Sequence, residues 1–150
     1  MTKYKIALGS DHAGFQLKNK LVAILQAEGH SVKDFGTFSE ESCDYPDYIH
    51  PVACAVEKQD SELGIIICGS GNGAAMTANK HKHIRAALCW NPELAALARQ
   101  HNNANILAIP ARFVSEDDAS SIVHTFLNAV FEGGRHNRRI GKIDDLECDS

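Results

Sequence analysis

One glycine-rich segment of the chain carries a thiol, a hydroxyl and an amide within five residues. It reads Cys68-Gly69-Ser70-Gly71-Asn72-Gly73 and follows an apolar, β-branched run at positions 65–67. Such a run suits a strand buried on both faces, and the glycines let the backbone turn sharply and approach a ligand. A helix-prone segment follows at 74–80, and the N–H groups of a helix start carry a positive partial charge. The sequence therefore predicts an anion-binding loop with a thiol at its lip.

Three well-known phosphate-binding loops share part of this glycine pattern. Positions 69–74 satisfy the G-x-G-x-x-A dinucleotide fingerprint, which also needs an acidic residue about 20 positions further on. The next strand instead ends in Leu88-Cys89-Trp90-Asn91. A P-loop is excluded because no Gly-Lys-Ser/Thr follows, and Ala74 stands where a cysteine phosphatase loop needs arginine. A nicotinamide-binding loop and a tight turn without a ligand both stay open.

Four side chains are candidates for chemistry: the loop thiol and three further groups. Cys68 closes a strand directly before a helix start, which favours a reactive thiol acting as nucleophile or base. Buried cysteines are usually inert, as predicted for Cys54 and Cys89. Asp11 and His12 end an earlier strand, where they suit hydroxyl and phosphate binding or proton transfer. Asp11 could equally cap a helix. His101 ends a predicted helix, where the helix dipole favours a cation, and a simple cap is its alternative.

The C-terminal region is basic and then acidic. Arg135, Arg138 and Arg139 follow a Gly-Gly break, and arginine binds phosphate through bidentate hydrogen bonds. The alternative is that they pair with the acidic residues that follow, which are Asp144, Asp145, Glu147 and Asp149. The pair His81-x-His83 has no third metal ligand at a clear spacing, so no metal site is predicted.

These side chains must be positioned by five strands that alternate with helices. Strands are predicted at 5–9, 31–35, 65–67, 84–89 and 106–109, and helices at 13–28, 46–59, 74–80 and 92–100. A fifth helix begins after Ser115, with an apolar stripe reaching Phe131, and a helical tail follows. Such alternation predicts a three-layer α/β sandwich with a parallel, Rossmann-like sheet. Ligands of such sheets bind at the carboxyl ends of the strands.

Composition limits the partners. A chain of 150 residues, 44% of them hydrophobic, fits one domain, and a net charge of −4 gives no reason to expect nucleic acid. No apolar run approaches the roughly 20 residues of a membrane span, and no signal-peptide core follows the first residues. Five cysteines without C-x-x-C spacing favour reduced thiols in a cytoplasmic protein.

Six short segments carry a resemblance that spans almost the whole chain. They read Gly9-Ser10-Asp11-His12-Ala13-Gly14-Phe15, Asp44-Tyr45-Pro46, Ile67-Cys68-Gly69-Ser70-Gly71-Asn72-Gly73, Ala78-Asn79-Lys80, Arg99-Gln100-His101-Asn102 and Glu132-Gly133-Gly134-Arg135-His136. In this order they resemble the type B ribose-5-phosphate isomerase family, which also contains galactose-6-phosphate and allose-6-phosphate isomerases. Each fragment is common, but the set is specific.

The resemblance implies an aldose–ketose isomerase that works through a cis-enediolate without metal or cofactor. Cys68 would take the proton from C2 and return it at C1, and Ser70 would help to move protons between O1 and O2. The backbone of Gly69, Ser70, Gly71, Asn72 and Gly73 would stabilise the enediolate as an oxyanion hole does. His101, assisted by Asp11, would open the furanose ring. The substrate would be bound at its hydroxyls by Asp11 and Asn102 and at its phosphate by His12, Arg112, Arg135 and Arg139.

Two departures from the family pattern bear on the mechanism. Some members use a glutamate just after the third glycine as base and lack the cysteine, whereas this chain has Ala74 and Cys68. Position 70 is Ser where many cysteine-type members have Thr, so the hydroxyl is kept. The family site lies at a dimer interface, which implies a homodimer, alone or in a dimer of dimers. Ribose 5-phosphate is the default substrate. Four- and six-carbon sugar phosphates, a non-catalytic sugar-phosphate or nucleotide-binding module and an NAD-dependent oxidoreductase stay open.

Overall fold

The computed structural model describes residues 2–148. Its strands are β1 (Lys5–Ser10), β2 (Ser31–Asp34), β3 (Leu63–Cys68), β4 (Ala86–Leu88) and β5 (Ile106–Pro110). Its helices are α1 (Phe15–Ala27), α2 (Tyr45–Glu57), α3 (Asn72–Ala78), α4 (Pro92–Asn102), α5 (Glu116–Asn128) and α6 (Arg135–Asp144), and a 3₁₀ turn at His12–Gly14 precedes α1. The strands form one sheet in the order β2-β1-β3-β5-β4, and every pair is parallel. The predicted fold class is confirmed.

Two apolar clusters hold the sheet between its helical layers. One cluster joins the sheet to α1, α4 and α5, with Leu21, Ile65 and Phe126 among its buried members. The other joins the opposite face to α2 and α3, with Ile49 and Ile66 among its members. All six residues of β3 are buried because this strand lies in the middle of the sheet. The unalternated apolar run of β3 is thus explained by burial on both faces.

Local sequence sets where two of the helices begin. Asn91 accepts a hydrogen bond from the Leu94 N–H at 2.9 Å, and Pro92 occupies the first turn of α4. Ser115 accepts one from the Asp118 N–H at 3.1 Å at the start of α5. Capping side chains satisfy donors that the helix itself leaves free, so both starts follow directly from the sequence.

The end of α5 differs from the prediction. The apolar stripe predicted helix as far as Phe131, but α5 ends at Asn128 and Ala129 is extended, with ψ of 149°. Val130 is 75% exposed and does not pack in the core. The Glu132 N–H donates instead to the Gln100 carbonyl at 3.0 Å, which fastens this segment to the end of α4. A hydrogen bond to the end of α4 therefore takes the place of the last predicted turn of α5.

The register fixes the distance between the two edges of the sheet. Gly64 pairs with Ile106 and Cys68 with Pro110, and four residues of strand at about 3.3 Å each span about 13 Å. Helix α4 runs back from the carboxyl edge to the amino edge, since it follows β4 and precedes β5. Its last residues therefore lie at the edge opposite to Cys68.

Across residues 2–148, no helix combines the length and the hydropathy needed to cross a membrane.

Candidate active site

The first group of candidate residues follows β1 and β3, which are neighbours in the sheet. The chain passes from β1 outward to β2 and then returns to β3, so the strand order reverses between β1 and β3. In parallel α/β sheets ligands bind outside the carboxyl ends at such a switch point. The Asp11 N–H donates to the Ile67 carbonyl at 3.3 Å, which joins the two strand ends.

Asp11 is a helix cap in this structure. Its Oδ1 accepts hydrogen bonds from the N–H groups of Ala13 at 3.0 Å and Gly14 at 3.2 Å. The capping alternative is therefore correct for this oxygen. Asp11 nevertheless lines an open cleft of about 530 Å³ together with His12, Cys43, Asp44 and Tyr45.

The imidazole of His12 is held by the loop across that cleft. Its Nδ1 accepts a hydrogen bond from the Cys43 N–H at 3.2 Å. An imidazole nitrogen that accepts from a backbone N–H carries no proton, so the proton of the neutral ring is assigned to Nε2. His12 thus has a donor left for an anion, as its predicted role in phosphate binding requires.

The glycine loop passes between two large side chains. A Cβ added to Gly73 would lie 2.5 Å from Cζ of Tyr45, and one added to Gly69 would lie 3.1 Å from Nη1 of Arg112. Gly71 has φ of 78°, which side-chain-bearing residues rarely adopt. Among the described residues, the N–H groups of Ser70 and Gly71 donate no backbone hydrogen bond. The loop therefore offers main-chain donors beside a guanidinium group.

Cys68 is not at the lip of the loop, and that part of the prediction is wrong. The residue is 4% exposed and belongs to the apolar cluster that includes Ala74 and Ala108. Strand alternation turns its side chain toward the layer of α2 and α3, as it does for Ile66. The thiol therefore lies beneath the loop rather than on it.

A second buried cysteine provides a contrast. Burial raises the pKa of the Cys89 thiol to about 11, so this group is protonated at neutral pH. Its Sγ lies 3.7 Å from the Ala87 carbonyl. The interpretation of Cys89 as an inert packing residue fits this environment.

The second group of candidate residues lies at the amino edge. His101 is in the last turn of α4, and its Nε2 lies 3.7 Å from Oε1 of Glu132. The His136 Nε2 lies 3.8 Å from the same oxygen. The rings of His101 and His136 stack, with centroids 4.4 Å apart and planes inclined by 12°. Asn102 is exposed beside them, and its carbonyl accepts from Arg85 Nε at 3.0 Å.

His136 is buried although it belongs to a basic, exposed helix. Its Nε2 is shielded from solvent and has no hydrogen-bond partner among the described residues. Burial first, and then the charges of Arg135 and His101, lower the pKa of His136, while Glu132 acts in the opposite direction. The sequence assigned no role to Glu132 or His136. Both fall in the segment 132–136 that carried the resemblance, which was the available signal.

Two imidazoles and a carboxylate could in principle bind a transition metal. A metal lies in the plane of each imidazole that binds it, along the nitrogen lone pair. The stacked rings of His101 and His136 lie in separate, nearly parallel planes, so one ion does not fit in both. This arrangement of donors is therefore unsuited to a metal.

The arginines of α6 face solvent. Arg135, Arg138 and Arg139 are exposed, and none forms an ion pair within residues 2–148. Asp144, one of the acidic residues proposed as their partner, lies 3.8 Å from His83 instead. Asp149 lies outside the described residues. The guanidinium groups are thus free to bind an anion.

The predicted site residues fall into two sets. Asp11, His12, Cys68, Arg112 and the loop 69–73 lie together at the carboxyl edge. The other set lies at the amino edge and consists of His101, Asn102, Arg135 and Arg139. The length of the sheet separates the two sets within one chain.

Comparison with known proteins relates this chain to one family of enzymes, by sequence and by structure. Residues 6–143 match the profile of a family described as Ribose/Galactose Isomerase. Ribose-5-phosphate isomerase B of Escherichia coli is 47% identical over 143 residues, covering 95% of this chain and 96% of its own. A ribose 5-phosphate isomerase structure from Thermotoga maritima has a TM-score of 0.94 at 50% identity, covering 97% of this chain and 100% of its own. The Mycoplasma genitalium enzyme, solved with bound ribulose-5-phosphate, has a TM-score of 0.90 at 46% identity, with 94% of each chain covered.

Proposed function

Because the chain belongs to the ribose/galactose isomerase family, we propose that it interconverts ribose 5-phosphate and ribulose 5-phosphate. The observation that carries the proposal is the junction of β1 and β3, where a thiol, an imidazole donor and unpaired loop N–H groups lie at adjacent strand ends. The three relatives compared above are named ribose-5-phosphate isomerases, and the Mycoplasma genitalium enzyme was solved with bound ribulose-5-phosphate.

Cys68 is the proposed base. The thiolate takes the proton from C2 of the open-chain aldose, and the electrons of that C–H bond form the enediolate. The same sulfur returns a proton to C1, while the Ser70 hydroxyl helps to move a proton between O1 and O2. Main-chain N–H groups of the loop stabilise the negative oxygen as it forms. Because Cys68 is only 4% exposed, this role requires the overlying loop to admit the substrate to the sulfur.

His101 is the proposed group for opening the furanose ring, and Asp11 assists it. In this step the bond between C1 and the ring oxygen breaks, O1 loses its proton and the ring oxygen gains one. The phosphate is bound by the His12 donor, by Arg112 and by the free guanidinium groups of Arg135 and Arg139. Asp11 and Asn102 hold sugar hydroxyls.

The separation of the two residue sets supports a site shared between two copies of the chain. Cys68 and His101 lie at opposite edges of a sheet whose paired strands span about 13 Å. A five-carbon sugar phosphate is shorter than the path around that sheet, so one chain does not supply both groups to one substrate. We propose a homodimer in which the carboxyl edge of one copy meets the amino edge of the other, either alone or within a dimer of dimers.

The remaining expectations about the protein stay part of this proposal. They comprise a single domain, a cytoplasmic location suggested by the odd number of cysteines, and no cofactor, metal, nucleic acid or membrane partner. A non-catalytic sugar-phosphate-binding module and an isomerase for four- or six-carbon sugar phosphates are the competing functions.

One experiment separates these functions. Purified protein with a chelator is incubated in D₂O with ribose 5-phosphate, allose 6-phosphate, galactose 6-phosphate or a four-carbon sugar phosphate, and products are followed by NMR. We expect ribulose 5-phosphate to form from ribose 5-phosphate, with deuterium at C1. Thermal stabilisation by sugar phosphates without any exchange would favour the binding module, and preferential turnover of another sugar would reassign the substrate.

A further inference from the structure

Glu132 and His136 lie next to His101, the proposed ring-opening group, but have no role in the proposed reaction. Glu132 Oε1 lies 3.7 Å from His101 Nε2, and the His136 ring stacks on the His101 ring. The His136 Nε2 is buried without a partner among residues 2–148 and lies 3.8 Å from the same Glu132 oxygen. Two imidazoles from different parts of the chain therefore converge on one carboxylate oxygen.

We infer that Glu132 and His136 are positioning residues for His101: the carboxylate orients its Nε2, and the buried ring fixes the plane of its imidazole. The inference rests on the proposed function, because it concerns the ring-opening step assigned to His101. Neither residue contacts the sugar in this scheme.

The main chain places the Glu132 carboxylate beside His101. The Glu132 N–H donates to the Gln100 carbonyl at 3.0 Å, one residue before His101. The bond accompanies an early end of α5: the helix stops at Asn128, and Ala129 is extended. At 3.7 Å, Glu132 Oε1 and His101 Nε2 are beyond hydrogen-bond distance, but the negative charge of the carboxylate favours the tautomer with its proton on Nε2, so Nδ1 keeps its lone pair. His101 then presents Nδ1 to the sugar as proton acceptor.

His136 provides a rigid surface for the His101 ring. The His136 side chain is 7% exposed and the His101 side chain is 39% exposed, so the buried ring can limit rotation of the exposed one. Parallel aromatic rings at this separation attract each other modestly. Burial and the neighbouring positive charges lower the pKa of His136, so it stays neutral at physiological pH. A neutral ring does not repel the positive charge that His101 gains when it takes a proton.

Ribulose 5-phosphate allows a test of this role, because the ketose has no free hydroxyl that could close a furanose ring. Exchange of its C1 hydrogen with solvent needs the base and the phosphate site but no ring opening. Conversion of ribose 5-phosphate needs all of these and ring opening as well. A positioning residue for His101 affects the second reaction and spares the first.

The primary variant is Glu132→Gln, which keeps the size of the side chain and removes its charge. We expect the kcat for ribose 5-phosphate to fall about tenfold, a part of the usual contribution of acid–base catalysis. Deuterium exchange into ribulose 5-phosphate should stay within about twofold of wild type, since the base itself is unchanged. Glu93→Gln, in the exposed first turn of α4, is the matched control and should leave both rates unchanged.

The second pair of variants separates stacking from stability. His136→Ala removes the ring and should lower ribose 5-phosphate turnover about tenfold, whereas His136→Phe keeps a flat ring and should restore most of it. Thermal melting of each variant records any loss of folding. Equal losses in turnover and exchange, or a phenylalanine variant no better than the alanine variant, would overturn the inference. Wild-type protein that neither converts nor exchanges would overturn the proposed function and this inference with it.

Discussion

The two edges of the sheet carry different kinds of functional surface. At the carboxyl edge the main chain dominates: a glycine loop lies between Tyr45 and Arg112, and the thiol is buried beneath it. At the amino edge exposed side chains dominate, since Arg135 and Arg139 face solvent and His101 is partly exposed. The carboxyl edge therefore supplies main-chain donors, and the amino edge adds solvent-facing cations. A packed cradle can stabilise a developing charge, and exposed cations can capture a phosphate.

Removing the thiol is expected to have the largest effect. Cys68→Ala should lower ribose 5-phosphate turnover by about 10³-fold, because a positioned base contributes 10²- to 10⁴-fold. NMR of the reaction and a thermal melt of the same sample measure activity and folding together. Full activity of this variant would show that the carboxyl edge does not supply the base and would leave that edge a role in binding only.

Mixing two inactive variants tests whether the edges work together across chains. Cys68→Ala and His101→Ala are denatured together, refolded and assayed. If the site is shared, randomly mixed dimers should recover about a quarter of wild-type activity, because half are hybrids with one intact site of two.

If each chain contained a complete site, no hybrid would have one and the mixture would stay inactive. Each variant refolded alone provides the control. Refolded wild type gives the reference activity, and size-exclusion chromatography verifies that dimers form.

Glycine substitutions compare the rigidity of the two edges. Gly71→Ala forces a side chain into φ of 78° and places Cβ 2.3 Å from Cδ1 of Leu88. We expect it to lower the free energy of unfolding by about 1–3 kcal/mol. Gly141→Ala is the matched change in α6, where an added Cβ meets nothing within 4 Å.

That second substitution should stabilise the protein by about 0.5–1 kcal/mol, since alanine favours helix over glycine. Urea unfolding of both variants gives the two values. Equal effects would mean that the glycine loop is no more constrained than the exposed helix.

The smallest expected effect concerns pH and the amino edge. The pKa of His136 is lowered in the folded protein, so as pH falls below about 6.5 the unfolded chain binds a proton more readily than the folded one. Stability attributable to this group is thus present above that pH and is lost below it. His136→Phe should make the melting temperature depend less steeply on pH between about 5 and 7. An unchanged slope would show that the pKa of His136 is the same in the folded and the unfolded protein.

Much of the fold could be read from local sequence. The starts of α4 and α5 follow from Asn91, Pro92 and Ser115, and the apolar run of β3 indicated a strand covered on both sides. The candidate residues at the carboxyl edge were also placed together correctly, because parallel strands end at the same edge. The side chain of Cys68 was misplaced, since a pattern of glycines does not tell which face the preceding residue turns to.

The order of the elements, the capping of α4 and α5 and the residue types at the strand ends could be predicted from local sequence, because these features depend on neighbours within a few positions. The separation of His101 from Cys68 by the length of the sheet follows from the packed fold, as does the early end of α5 beside which Glu132 reaches α4. Both outcomes come from contacts between distant segments, whose free energies outweigh the local preference for one more helical turn. Such contacts leave no periodic signal in the sequence.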